Sequence, residues 1–136
     1  MQDDNESTDR CLSEPLTQME DLLRSAHEYD RANELERLIE LLQTDSALAV
    51  DFLLSKEFWG GSGSYFDFRL SEHEHSATVA NVRVANHRYV ALLLRVLRCL
   101  KAMGHARPDF NWLEDHLQRA ADDGPPGKAC QPRSEQ

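Results

Sequence analysis

Cysteine is scarce in this chain: Cys11, Cys99 and Cys130 are the only three among 136 residues. An odd number at wide spacing does not read as a disulfide framework. No CxxC pair occurs, so no cysteine-based zinc site is suggested. The pattern points to a reducing, cytoplasmic compartment, with Cys99 a small core residue inside an apolar helix pattern. Long apolar runs are also missing. A membrane-spanning helix needs about 18 consecutive apolar residues or more, so no membrane partner is expected. The opening MQDDNESTDR has neither the basic nor the apolar region of a secretory signal. Glycine is sparse too, with six in all, yet three of them crowd into positions 60, 61 and 63.

What is plentiful is acid. The chain carries 24 Asp and Glu against 15 Lys and Arg, a net charge of −9. The excess lies in residues 1–45, which hold thirteen acidic and four basic side chains. From His75 to Pro108 the balance reverses, with six basic residues (Arg83, Arg88, Arg95, Arg98, Lys101 and Arg107) and no acid. The two halves are complementary in charge. Either they neutralise each other within one fold, or the acidic half meets a basic partner. Nucleic acid is not expected as a partner, because the whole chain is acidic and its basic stripe has no interleaved aromatics or recognisable binding motif.

The length suits one domain, and the hydrophobic periodicity is helical. Residues 1–12 are polar and read as a disordered tail. Ser13 and Pro15 look like a helix start, followed by Leu16, Met19, Leu22, Leu23, Ala26 and Tyr29 on one face of a helix over about residues 14–30. Leu35, Leu38, Ile39, Leu41 and Leu42 mark a second helix. Thr44, Asp45 and Ser46 offer a break and a cap for a third, largely buried helix over residues 47–55. The longest pattern runs from about Ala77 to Met103, closed by Gly104 and Pro108. Its apolar face is Val79, Val82, Val90, Leu93, Val96, Leu97 and Leu100, with the basic residues opposite. A last helix over 108–121 buries Phe110, Trp112, Leu113 and Leu117. The expected fold is therefore all-α: a bundle of about five helices over residues 13–121, with disordered tails at 1–12 and 122–136.

Between the third and fourth helices lies EFWGGSGSYFDFRL, which carries five of the ten aromatics. Trp59, Gly60, Gly61, Gly63, Ser64 and Phe66 are assigned a structural role here. The glycines shape a turn that needs positive φ, holding Trp59 and Phe66 against the long helix. Ser64 or Asp67 accepts a backbone N–H, and Tyr65 faces outward as a partner contact. A short strand over 65–70 fits the same residues. The loop lacks the GxxxxGK[ST] of a phosphate loop and the spacing of a nucleophile elbow.

The helix, helix, FWGGSGSYFDFRL loop and ANHRYVALLLRVLRCLKAMG helix, in that order, resemble a small bacterial domain family. Its members pair a Trp/Phe-Gly-Gly-x-Gly-Ser-x-x-Asp loop with a following helix, and they look like immunity proteins of polymorphic toxins. The matching residues are Phe58, Trp59, Gly60, Gly61, Gly63, Ser64, Asp67 and Leu70, then Asn86 and Arg88 with His87 between them. The likeness covers about residues 35–103.

The resemblance implies a non-catalytic partner-binding protein without cofactor or metal. An acidic protein could sit in the positive groove of a basic toxin such as a nuclease. Glu28, Asp30, Glu34, Glu36, Glu40, Tyr65 and Asp67 are the expected partner-binding residues. Two readings of other classes stand beside it. One is a small metal-dependent hydrolase using His73 and His75 of the EHEH stretch, although two histidines lack the further ligands such a site needs. The other is a self-associating helical module using surplus leucine surface.

Overall fold

Helix α1 (Gln2–Ser25) carries Leu12, Leu16, Met19 and Leu23 at spacings of four, three and four, and all four are fully buried. In this computed structural model, which describes residues 2–60, 63–70 and 79–122, α1 begins at Gln2. That corrects the expected tail over 1–12: residues 2–12 are helical and Leu12 lies in the core. Pro15 sits inside α1, not in its first turn. A proline there has no N–H to give the carbonyl four residues back, a loss of about 3 kcal/mol. Tertiary contacts of Leu12 and Leu16 on either side must hold this turn.

Leu23 to Glu28 closes α1 with two reverse bonds, Glu28 N–H to the Leu23 carbonyl at 2.8 Å and His27 N–H to the Arg24 carbonyl at 3.1 Å. His27 takes φ 67° to allow it, the left-handed C-cap geometry that glycine usually supplies. Helix α2 (Tyr29–Thr44) follows and buries Ala32, Leu35, Leu38 and Leu42. Asp45 then caps α3 (Ser46–Leu53), its side chain accepting from Leu48 N–H at 3.3 Å, as the Thr44-Asp45-Ser46 break predicts. A fourth short helix, α4 (Lys56–Trp59), buries Phe58 and Trp59.

Helix α5 (Val79–Ala102) is the centre of the bundle. From Tyr89 to Leu100 nine of its residues are buried, and a helix apolar on most sides must be enclosed. α1 packs against α2 and α5, α2 against α3, α3 against α4, and α5 against the last helix, α6 (Phe110–Asp122). Gly104 ends α5 at φ 92°, with Gly104 N–H bonded to the Lys101 carbonyl and His105 N–H to the Leu100 carbonyl. The described residues thus form six helices, the mostly-α bundle expected. The stretch Tyr65–Leu70 is a series of turns and not a strand.

Cys11 on α1 and Cys99 on α5 form a disulfide, with Cα atoms 6.2 Å apart across 88 residues of sequence. This corrects the reading of unpaired cysteines. Besides the odd number and wide spacing of the cysteines, a helix start placed at residue 13 removes Cys11 from the bundle. Three basic residues of α5 find counter-charges inside the fold. Arg95 reaches Glu14 of α1 at 3.4 Å, whereas Arg98, at 3.0 Å, and Lys101 both hold Glu114 of α6. Hydrogen bonds from Lys101 and then Arg98 hold the Glu114 carboxyl below the usual glutamate value. No helix among the described residues is long and apolar enough to cross a membrane.

Candidate functional site

The glycine-rich loop is fastened to α4, α5 and α6 by separate contacts. Phe66 N–H donates to the Phe58 carbonyl at 2.9 Å, and Asp67 N–H donates to Ser64 Oγ at 3.1 Å. The second bond makes Ser64, which is buried, the side chain that closes the turn. Gly63 has φ 89°, where a side chain is strained, while Gly60 is extended at φ −122°. Gly61 lies outside the described residues. Tyr89 of α5 donates its hydroxyl to the Tyr65 carbonyl at 2.6 Å, and Asn86 of α5 holds both the N–H and the C=O of Leu70.

Tyr65 lies on the face opposite to the one expected, whereas Trp59 is buried as expected. Tyr65 is 2% exposed and stacks on Phe58 with ring centres 4.9 Å apart. Trp59 is 1% exposed and packs edge-on against Phe110 of α6, its indole N–H donating to the Leu53 carbonyl at 2.5 Å. Phe66 is only partly buried and sits against Trp112 and His116 of α6. The in-and-out alternation behind the expectation belongs to strands, and this segment turns instead.

Tyr65 joins the loop to α2. Its hydroxyl donates to the Glu34 carboxylate, and the Arg31 guanidinium lies over the rings of Tyr65 and Phe68 at 5.1 and 4.3 Å from their centres. Arg31 also donates to the Gly63 carbonyl at 3.2 Å. Burial, and after it the neighbouring Glu34, push the Tyr65 hydroxyl far above its ordinary pKa, so it is a neutral donor throughout the physiological range.

Outside this junction three hollows share Glu34 and together make a trough. One hollow of about 630 Å³ lies between Arg31, Glu34, Phe52, Lys56, Glu57 and the loop. A second, of about 550 Å³, lies along the α2–α3 seam and is floored by Leu38, Leu41, Leu48 and Phe52, with Glu34, Arg37 and Asp51 at its edges. A third, more polar hollow extends it toward Glu28 and Asp30. All three meet at Glu34. Leu48 is 53% exposed beside the trough, a position read from the sequence as buried. With Asp45 as cap, the buried Ala49, Val50 and Leu53 set the phase of α3 and leave Leu48 on its flank. Trp112, also expected inside, is 62% exposed and stacks on His116.

The expected partner-binding residues therefore divide. Glu28, Asp30 and Glu34 line the trough, and Tyr65 forms part of its wall while facing inward. Glu36 lies on the other flank of α2 near Arg24 of α1, 3.4 Å away, and Glu40 falls one helical turn further along that flank. Asp67 is exposed in the loop outside the trough. His73 and His75 lie outside the described residues. Among the described residues no group of three or more His, Cys, Asp or Glu could hold a metal ion. No protein-family model, no curated protein and no solved structure matches this chain.

Proposed function

We propose that the chain is a non-catalytic protein-binding module, an immunity protein that neutralises a cognate toxin. The observation that carries this reading is the trough at Glu34, which combines an apolar floor with a charged rim. Solvent-facing leucine and half-buried aromatic surface beside fixed charges is the make-up of a protein-docking face. Its lining holds five carboxylates (Glu28, Asp30, Glu34, Asp51 and Glu57) against Arg31, Arg37 and Lys56. Arg31 is already engaged by the loop and Glu34 by the Tyr65 hydroxyl. The occupant that fits is a basic segment with an apolar ridge, such as the substrate groove margin of a basic nuclease. A second copy of the chain fits less well, since each copy carries −9 and like charges repel. A cytoplasmic site of action belongs to this proposal.

The test is co-expression with the toxin encoded beside it. The chain should rescue growth and elute with the toxin as one complex, with an association rate that falls as salt rises. Leu48→Glu should abolish rescue and leave the melting temperature unchanged, because Leu48 is not core. Failure to protect against any neighbouring gene product, or full protection by Leu48→Glu, overturns the proposal. A sedimentation profile showing dimer at low micromolar concentration would favour self-association instead.

A further inference from the structure

The two halves of the α1–α5 disulfide are unequally placed. Cys11 is exposed, whereas Cys99 is 4% exposed on the enclosed helix α5. A thiolate arriving from solvent meets the Cys11 sulfur first. The bond lies one turn before Pro15, where α1 lacks a helical hydrogen bond. C-terminal to it, Leu12, Leu16, Met19 and Leu23 are all fully buried, so most of α1 stays docked whether or not the bond is present. N-terminal to it, QDDNESTDR contains no large apolar residue that could anchor the helix by itself.

We propose that Cys11–Cys99 is a reversible thiol–disulfide exchange site for a dithiol reductant, and that its state decides whether the first turns of α1 are pinned to α5. One thiolate of the dithiol attacks the Cys11 sulfur. The Cys11–Cys99 bond breaks, and its electron pair leaves on the Cys99 sulfur, which takes up a proton. The second thiol of the reductant, after losing its proton, attacks its own partner sulfur in the mixed disulfide. That closes the oxidised dithiol and releases Cys11, which is protonated in turn. Two electrons pass to the chain, and the reductant leaves as a disulfide. The site is independent of what the trough binds. A cytoplasmic setting would make the bond one that forms and breaks, as cytosolic disulfides usually are.

The test uses the full oxidised chain with dithiothreitol and, separately, limiting glutathione. Cys11 and Cys99 should resist alkylation before treatment, and both should alkylate after dithiothreitol. Limiting glutathione should leave its adduct on Cys11. Trypsin cleavage after Arg10, which is exposed, should speed up about tenfold or more on reduction, because cleavage follows the population of locally opened helix. Far-UV helicity should change little. Cys11→Ser should show the fast cleavage without reductant and ignore dithiothreitol. Alkylation of both cysteines in the air-oxidised chain, an adduct on Cys99, equal cleavage after Arg10 in the two states, or loss of all helicity on reduction would each overturn the proposal.

Discussion

Asn86 grips the backbone of Leu70 with both ends of its carboxamide, Oδ1 accepting from the N–H at 2.8 Å and Nδ2 donating to the C=O at 3.2 Å. The contact spans 16 residues of sequence and imitates the paired bonds of a strand partner where no strand exists. Replacement by alanine strands two backbone groups at a buried residue, and each such group typically costs about 1–3 kcal/mol. Asn86→Ala should therefore lower the urea midpoint clearly. Asn86→Asp, which can only accept, should fall between the variant and the parent chain.

Tyr65 holds the loop rather than presenting it. Its ring is packed between Phe58 and Arg31, and its hydroxyl reaches Glu34. Tyr65→Ala should cost about 3–5 kcal/mol, the range for losing a buried aromatic ring. Tyr65→Phe removes only the hydroxyl and should cost about 1 kcal/mol. Equilibrium denaturation separates the two. A silent Tyr65→Ala would mean that the ring is not in the core.

The C-caps of α1 and α5 have the same hydrogen-bond pattern and different residues at the left-handed position, His27 at φ 67° and Gly104 at φ 92°. A side chain in that conformation costs about 1–2 kcal/mol. His27→Gly should raise the melting temperature, by an amount reduced by glycine's freedom in the unfolded chain. Gly104→Ala should lower stability by about 1 kcal/mol. A Cβ at Gly104 would meet nothing within 4 Å, so the loss would come from the backbone and not from a clash.

Glu114 gives an acid-side signature. Its carboxyl is held below the usual glutamate value by Lys101 and Arg98. A depressed carboxylate stabilises the fold above its unfolded pKa, and the contribution is lost as pH falls through the folded one. Glu114→Gln should thus reduce stability slightly at neutral pH and show a flatter loss on acidification below the ordinary glutamate range. Because the pair is largely solvated, raised salt should shrink the difference. Parallel pH profiles for the two chains would contradict the assignment.

Most of the bundle is readable from apolar spacing. Leu35–Leu42 and Val90–Leu100 lie where their periods place them, as do Phe110, Leu113 and Leu117 but not Trp112, and Asp45, Ser64 and Gly104 have the local roles that their chemistry suggests. The misreadings share a cause in long-range packing. Pro15 resembles a first-turn proline, so the polar residues before it look like a tail, and Cys11 loses its partner. Tyr65 turns inward beside a half-buried Phe66 because a turn does not alternate. In the candidate site, Glu34 is found from charge alone. Its meeting with Tyr65 and the exposure of Leu48 depend on how α2, α3 and the loop pack, which no local pattern encodes.

The enclosed position of α5 also sets an order of events during synthesis. The buried stripe of α1 needs α5 as a wall, yet Ala102 leaves the ribosome several seconds after Ser25 at roughly 5–20 residues per second. In that interval α1 can pair with α2, and α2 with α3, but Leu12, Leu16, Met19 and Leu23 lack the wall that α5 supplies. A nascent chain of this protein is therefore at its stickiest midway through translation, when chaperone cover matters most, and any product stopped ahead of α5 lacks the helix that joins α1 to α6.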